Sequence, residues 1–278
     1  MYLRAPVKAV HSKKDTHGVG SLTQGPSVPN PPKFRPGLII NQNWTLTIMY
    51  YHDTTTPKEV VEQAYDHIAE WYLGWVEGPG QRSSPRERYA NKVLENAAPA
   101  SSSSSSPMRV LELGCGPGVP ITRMLLDRGA QVVANDISTR QLGMARARCP
   151  QATLVAGDMA ALSFEPASFD GVVSFFTIFH LPRAEQKGML AKIHSWLRPG
   201  GMFVFNLATV DEEEIHGEFL GHGMFWSSYG VEDSKAMVRD VGLEVVEAEV
   251  LEAGEGQLEE SDPDYGVKFM WVAARKGV

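Results

Sequence analysis

Three acidic residues and one histidine stand where buried strands would end. Glu112 lies two residues ahead of Gly114, the first of three glycines spaced two apart, in Val110-Leu-Glu-Leu-Gly-Cys-Gly-Pro-Gly-Val119. Asp136 closes the run Gln131-Val-Val-Ala-Asn, and Asp158 closes Ala152-Thr-Leu-Val-Ala-Gly. His180 follows the apolar stretch that begins at Phe169. Glycines at this spacing give a turn positive φ, or clear room for a ligand against the backbone. A strand, a glycine turn and a helix N-terminus together hold a nucleotide-like ligand in open α/β sheets. From Glu112 to Asp136 is 24 positions, about one βαβ step, and a carboxylate at that strand's tip can accept two ribose hydroxyls. An unperturbed imidazole titrates near neutrality, so a histidine at 180 is expected to suit proton removal from a phenol, enol or acid. A dinucleotide site would place its third glycine where Val119 stands. The residues by themselves leave three readings open: a dinucleotide, another nucleoside ligand, or a tight turn with no ligand.

The run Glu112-x-Gly114-x-Gly116-x-Gly118 resembles the first motif of class I S-adenosylmethionine-dependent methyltransferases of the small-molecule type. Gly157-Asp158-Met159, the loop from Phe175 to His180 and Leu197-Arg-Pro-Gly-Gly201 resemble later parts of that family, in its order, across 110–206. The fold this implies is α/β: a Rossmann-like, seven-stranded, mostly parallel sheet with helices on both faces and an N-terminal helical cap. The implied cofactor is S-adenosylmethionine. By the same resemblance Asp136 and Ile137 lie at the ribose, Asp158 takes the adenine amine and Met159 offers its N–H to the ring. Gly114, Cys115, Gly116 and Glu112 form the turn around the cofactor, and Phe175 lies in the loop facing the transferred methyl. Tyr65, in Tyr65-Asp-His-Ile-Ala69, corresponds to a tyrosine that reaches the methionine carboxylate; its other reading is a plain core residue. His180 is the candidate general base, and its other reading is a residue that orders its loop. The implied activity is in-line methyl transfer to a small, largely apolar acceptor, on O, N or C. A second reading is a protein of this fold that binds the cofactor without transferring methyl, as a cyclase or binding partner.

The elements that must position these residues are legible. Thr56, Pro57 and Glu59 read as N-cap, N1 and N3 of a helix, and Val61, Ala64, Tyr65, Ile68 and Tyr72 recur at helical spacing. A second helix is expected over 85–97, then a serine-rich break over 98–107. Ser138 and Gln141 form a capping-box pattern, so Asp136 need not cap the helix that follows. Residues 211–229 hold many large apolar side chains among glycines and interrupt the alternation of strand and helix; an acceptor-pocket insertion is expected at 207–230. A helix is expected over Ser234–Val241, and strands over 243–250 and 268–274. The domain reading is a disordered or dispensable tail at 1–48, a helical cap and linker at 49–106, and the catalytic core at 107–278.

Composition narrows the partners. The net charge is −7, and residues 1–48 carry six basic side chains against Asp15 alone, so the remainder is at −12. An acidic body disfavours phosphate-backbone binding, so no nucleic-acid partner is expected. No run approaches the length of a membrane span. Two cysteines, Cys115 and Cys149, suggest a reducing compartment, the cytoplasm. No spacing suggests a metal site, and oligomeric state is not encoded in any visible pattern.

Overall fold

Successive residues of the buried runs point to opposite faces, and this builds a sheet covered on both sides. A computed structural model describes residues 35–40, 46–51, 55–78, 85–96, 106–253, 258–260 and 262–278. Strands β1 (Arg35–Ile40) and β2 (Leu46–Tyr51) come first, then helices α1 (Pro57–Val76) and α2 (Arg86–Asn96). The sheet region follows as β3 (Arg109–Leu113), α3 (Ile121–Asp127), β4 (Gln131–Asp136), α4 (Thr139–Arg148), β5 (Thr153–Ala156), β6 (Phe169–Ser174), α5 (Arg183–Trp196) and β7 (Leu197–Ala208). The chain then runs through β8 (Glu212–Phe219), β9 (His222–Ser228), α6 (Val231–Asp240), β10 (Leu243–Glu252) and β11 (Lys268–Lys276).

Seven strands pair in the order β10-β11-β7-β6-β3-β4-β5. Strands β7, β6, β3, β4 and β5 are parallel to their neighbours in that set, while β11 runs antiparallel to β10 and β7. This is the mostly parallel, Rossmann-like sheet expected. Val110, Val132, Val173 and Val204 face α2, α3 and α4 through Tyr89, Val93, Leu125 and Leu142. Leu111, Val172, Phe203 and Phe205 face α5 and α6 through Leu190, Ile193, Trp196 and Val238.

Helix α1 starts as its sequence dictates. Thr56 Oγ1 accepts the Glu59 N–H and Glu59 Oε2 accepts the Thr56 N–H at 2.6 Å, closing the capping box. It buries Val61 and Ala64 against Met224 and Phe225 of β9. The 211–229 segment is a two-stranded antiparallel ribbon, β8 with β9, turning at Leu220 and Gly221 with φ of 54° and 78°. Tight two-residue hairpins require such positive φ values; interspersed glycines hide the period of two in the sequence. The helix expected from Ser234 begins earlier, at Val231.

Residues 34–278 form one compact unit. Most of the 1–48 stretch lies outside the described residues; within it Arg35–Ile40 pairs antiparallel with Leu46–Tyr51. The serine-rich break falls outside the described residues from 97 to 105. Among the described residues, no helix is long and apolar enough to cross a membrane.

Candidate functional site

The C-terminal ends of β3, β4, β5 and β6 open onto one cavity, which α1 covers. It encloses about 640 Å³, part of it open to solvent. Of the residues singled out in the sequence, Tyr65, Gly114, Gly116, Asp136, Ile137, Asp158, Met159, Phe175 and His180 line it. Glu112 and Cys115 do not. Glu112 is turned toward α3, where it accepts the Thr122 hydroxyl at 2.6 Å. Burial pushes its carboxyl up to about 8, against the opposing Thr122 hydrogen bond. Cys115 is buried, with Sγ 3.6 Å from the Gly116 carbonyl, and burial pushes its thiol up. No residue of 207–230 is a wall either, because the apolar side of the β8–β9 ribbon is taken up by α1.

The three glycines have φ of 71°, 54° and 83°, the left-handed region where side chains are strained. What approaches Gly114 is a side chain of the protein: a Cβ there would stand 1.8 Å from Thr177 Cγ2. A Cβ on Gly118 would meet Ala145 and Cys149 at 3.1 Å, so this glycine serves close packing of α4. A Cβ on Gly116 would make only ordinary contacts, with Tyr72 at 3.6 Å and Gln141 at 4.0 Å.

Asp136 holds the turn and the next helix together. Its Oδ2 accepts the Gly116 N–H at 2.7 Å and its Oδ1 accepts the Ser138 N–H at 2.9 Å. Burial raises its carboxyl to about 6, against the pull of those N–H groups. The capping-box expectation at Ser138 is half met. Ser138 Oγ accepts the Gln141 N–H at 3.1 Å, but Asp136 occupies the Ser138 N–H that the Gln141 side chain would have accepted. Gln141, a cavity-lining residue, is thereby released: its Nε2 and Oε1 are both buried and have no hydrogen-bond partner among the described residues. The sequence reading missed this residue by assigning it to the cap.

His180 and Tyr65 meet across 115 positions of chain, with Tyr65 Oη 3.1 Å from His180 Nε2. His180 Nδ1 lies 2.8 Å from the Phe225 carbonyl oxygen, which can only accept. The imidazole therefore carries its proton on Nδ1, and Nε2 accepts the Tyr65 hydroxyl. Burial lowers His180 to about 4, although the Phe225 carbonyl favours the charged form. Burial likewise drives the Tyr65 phenol well above its usual range. This is a neutral, fully engaged pair at the pocket's aromatic end. Phe176, also on the wall, has φ of 60° and donates its N–H to Asn206 Oδ1 at 2.7 Å. Arg86 of α2 lays its guanidinium over the Phe176 ring, 4.5 Å from the centroid.

Lys58, in the first turn of α1, reaches Asp158 Oδ2 at 2.7 Å and Glu185 Oε2 at 2.5 Å. Asp158 Oδ1 accepts the Ala160 N–H at 2.8 Å. Lys58 carries no motif signal and Gln141 only that of a cap, and both belong to this site through tertiary structure.

The site lies within a stretch with known relatives. Residues 110–201 match the family described as a methyltransferase domain. The chain is similar to an uncharacterized methyltransferase of Synechocystis, 36% identical over 117 residues, covering 42% of this chain and 52% of that protein. It is also similar to 24-methylenesterol C-methyltransferase 2 of Oryza sativa, 31% identical over 148 residues, 49% of this chain and 39% of that one. The chain thus spans about half, or less, of the length of these curated relatives. Among solved structures it resembles the magnesium protoporphyrin IX methyltransferase of Synechocystis with bound S-adenosylmethionine, with TM-score 0.58 and 16% identity, covering 82% of this chain and 100% of that one. The [4+2]-cyclase SpnF gives TM-score 0.58 at 18% identity, covering 80% of this chain and 97% of that one. At such identities the likeness is one of fold.

Proposed function

We propose that this chain, whose residues 110–201 match the family described as a methyltransferase domain, is a class I S-adenosylmethionine-dependent methyltransferase that transfers the methyl group of S-adenosylmethionine to a small, largely apolar acceptor. The observation that carries this reading is the buried amide of Gln141, unpartnered and facing the cavity beside Asp136 and Gly116. A buried polar group without a partner is destabilising by about 1–3 kcal/mol, so it marks a place prepared for a polar ligand. Asp136 retains lone pairs for ribose hydroxyls, Gln141 supplies a donor and an acceptor next to it, and Asp158 accepts the adenine amine. Ile137, Met159 and Val61 give apolar walls between them. When bound, the cofactor supplies a methyl already activated by a sulfonium charge, so alignment of the acceptor is the main demand on the protein.

Proton handling falls to Tyr65 and His180. His180 Nε2 is engaged by the Tyr65 hydroxyl, so His180 serves as the base by relay. Tyr65 oxygen takes the acceptor's proton as its own passes to His180 Nε2. Below about pH 4 the imidazole is charged and the relay is blocked. Tyr65, Tyr72, Phe175 and Phe176 make the rest of this end aromatic, which suits an apolar acceptor. Relatives named as sterol C-methyltransferases and as a malonyl-[acyl-carrier protein] O-methyltransferase support a small-molecule or carrier-bound acceptor over a nucleic acid. Both cysteines are buried and unpaired, which suits a cytoplasmic location.

The test uses S-adenosylmethionine labelled in its methyl group, incubated with the full chain and a fractionated metabolite extract. Label appearing in an organic-extractable product, with S-adenosylhomocysteine formed in equal amount, is the expected result. Tight binding of S-adenosylhomocysteine with no transfer to any fraction would replace the enzyme by a cofactor-binding protein of the same fold.

A further inference from the structure

Lys58 ties three elements together at one end of the cavity. It rises from the first turn of α1, Asp158 follows β5, and Glu185 lies in the first turn of α5. The Lys58 and Asp158 side chains keep 23% and 27% of their exposure, while Glu185 is 41% exposed and is not a cavity wall. Burial works to lower the Lys58 ammonium, and the hydrogen bonds and charges of the two carboxylates outweigh it, so Lys58 stays charged. An ionised carboxylate offers about four acceptor positions. Asp158 spends one on the Ala160 N–H and one on Lys58, which leaves room for a ligand amine without displacing the lysine. The rest of α1 is fastened independently. Val61 and Ala64 pack on β9, and Asp66 accepts the Ser138 hydroxyl at 2.5 Å. Loss of the lysine bridge therefore frees the first turn of the helix and leaves its middle in place.

We infer that Lys58, braced from outside by Glu185, is the retention residue of the cofactor site, holding the first turn of α1 closed over the Asp158 end of the cavity and setting how fast S-adenosylhomocysteine leaves. This rests on the cofactor reading above, and it assigns a rate to two residues that the reading itself does not use. Glu185 provides the decisive variant, because it does not line the cavity and its carboxylate is bound to Lys58.

Dissociation of S-adenosylhomocysteine is measured by stopped-flow fluorescence on the full chain for wild type, Lys58→Gln, Lys58→Arg, Glu185→Gln and the double variant Lys58→Gln/Glu185→Gln. Partly exposed ion pairs contribute modestly, so each glutamine variant should speed dissociation about two- to five-fold. The double variant should be no faster than Lys58→Gln, and Lys58→Arg should stay near wild type. Added salt should speed wild-type dissociation and leave Lys58→Gln unaffected. A wild-type rate in Glu185→Gln overturns the inference, as does slower release from Lys58→Gln, which would make the lysine a competitor for Asp158. Wild type that does not bind S-adenosylhomocysteine at all overturns the cofactor reading itself.

Discussion

Replacing Gln141 by methionine should move stability and ligand affinity in opposite directions. Both polar atoms of this amide are buried and lack a hydrogen-bond partner. They sit at the start of α4, facing the cavity. Methionine is a flexible, unbranched apolar side chain that fits irregular gaps and has a similar helix propensity. Removing one unsatisfied buried group is worth about 1–3 kcal/mol. Repacking around the new side chain offsets part of that gain, so the low end of the range applies, about 1 kcal/mol. For a chain of this size that corresponds to a rise of about 2–4 °C in the unfolding midpoint without ligand. With ligand, the same substitution removes up to two hydrogen bonds, roughly 1–3 kcal/mol, or about five- to 150-fold in Kd. Differential scanning fluorimetry of the ligand-free chain and titration calorimetry with S-adenosylhomocysteine read the two effects separately. A lower midpoint with unchanged Kd would mean that the amide has a structural partner and is not held ready for a ligand, and the reasoning would fail.

Three further outcomes can be checked. Glu112 has a folded-state value of about 8, raised above 4.5 by burial. Its contribution is therefore fully present below about pH 4.5 and lost as pH rises toward 8. Glu112→Gln should remove that decline, flattening the midpoint over the window by an amount equivalent to roughly a few kcal/mol; an unchanged pH profile would refute it. Tyr65→Phe and His180→Gln should each lower turnover by about 10²-fold or more with nearly unaltered affinity for S-adenosylhomocysteine, and either variant at full rate would dissolve the relay. Gly114→Ala should unfold the chain or lower its midpoint severely, since φ is 71° and the new Cβ would stand 1.8 Å from Thr177 Cγ2. Adding Thr177→Ser removes that methyl and should restore part of the loss, leaving about 1–2 kcal/mol of backbone strain; no recovery would show that Thr177 is not the obstacle.

The expectations that held rest on local patterns. Thr56-Pro57-x-Glu59 specified the start of α1 because all its hydrogen bonds lie within one turn. The buried runs ending at Leu113, Asp136, Ala156 and Ser174 gave the parallel strands, since a strand covered on both faces must be apolar throughout. The expectations that shifted involve competition between partners. Ser138 and Gln141 have the spacing of a capping box, yet Asp136, closer in the folded turn, takes the N–H that Gln141 would accept. The 211–229 segment gave an aromatic flap in sequence and a ribbon in space, because its glycines blur the period that distinguishes strand from loop. Residues of its apolar face, Met224 and Phe225, pack on Val61 and Ala64 of α1.

Motif spacing and the family resemblance it carries implied that a glycine turn, two strand-end acids and a histidine would gather at one edge of an α/β sheet, because periodicity and turn chemistry act over a few residues. They could not determine what each side chain would meet there. Thr177 against Gly114, Tyr65 on His180 and Lys58 between Asp158 and Glu185 join positions up to 127 residues apart. Such pairs depend on strand order and on the placement of α1 over the sheet, which are set by the burial of the whole core. Only the tertiary structure decided that Glu112 turns from the cavity to the Thr122 hydroxyl, and that Gln141 lies on the cavity wall because Asp136 takes the N–H its side chain would have accepted.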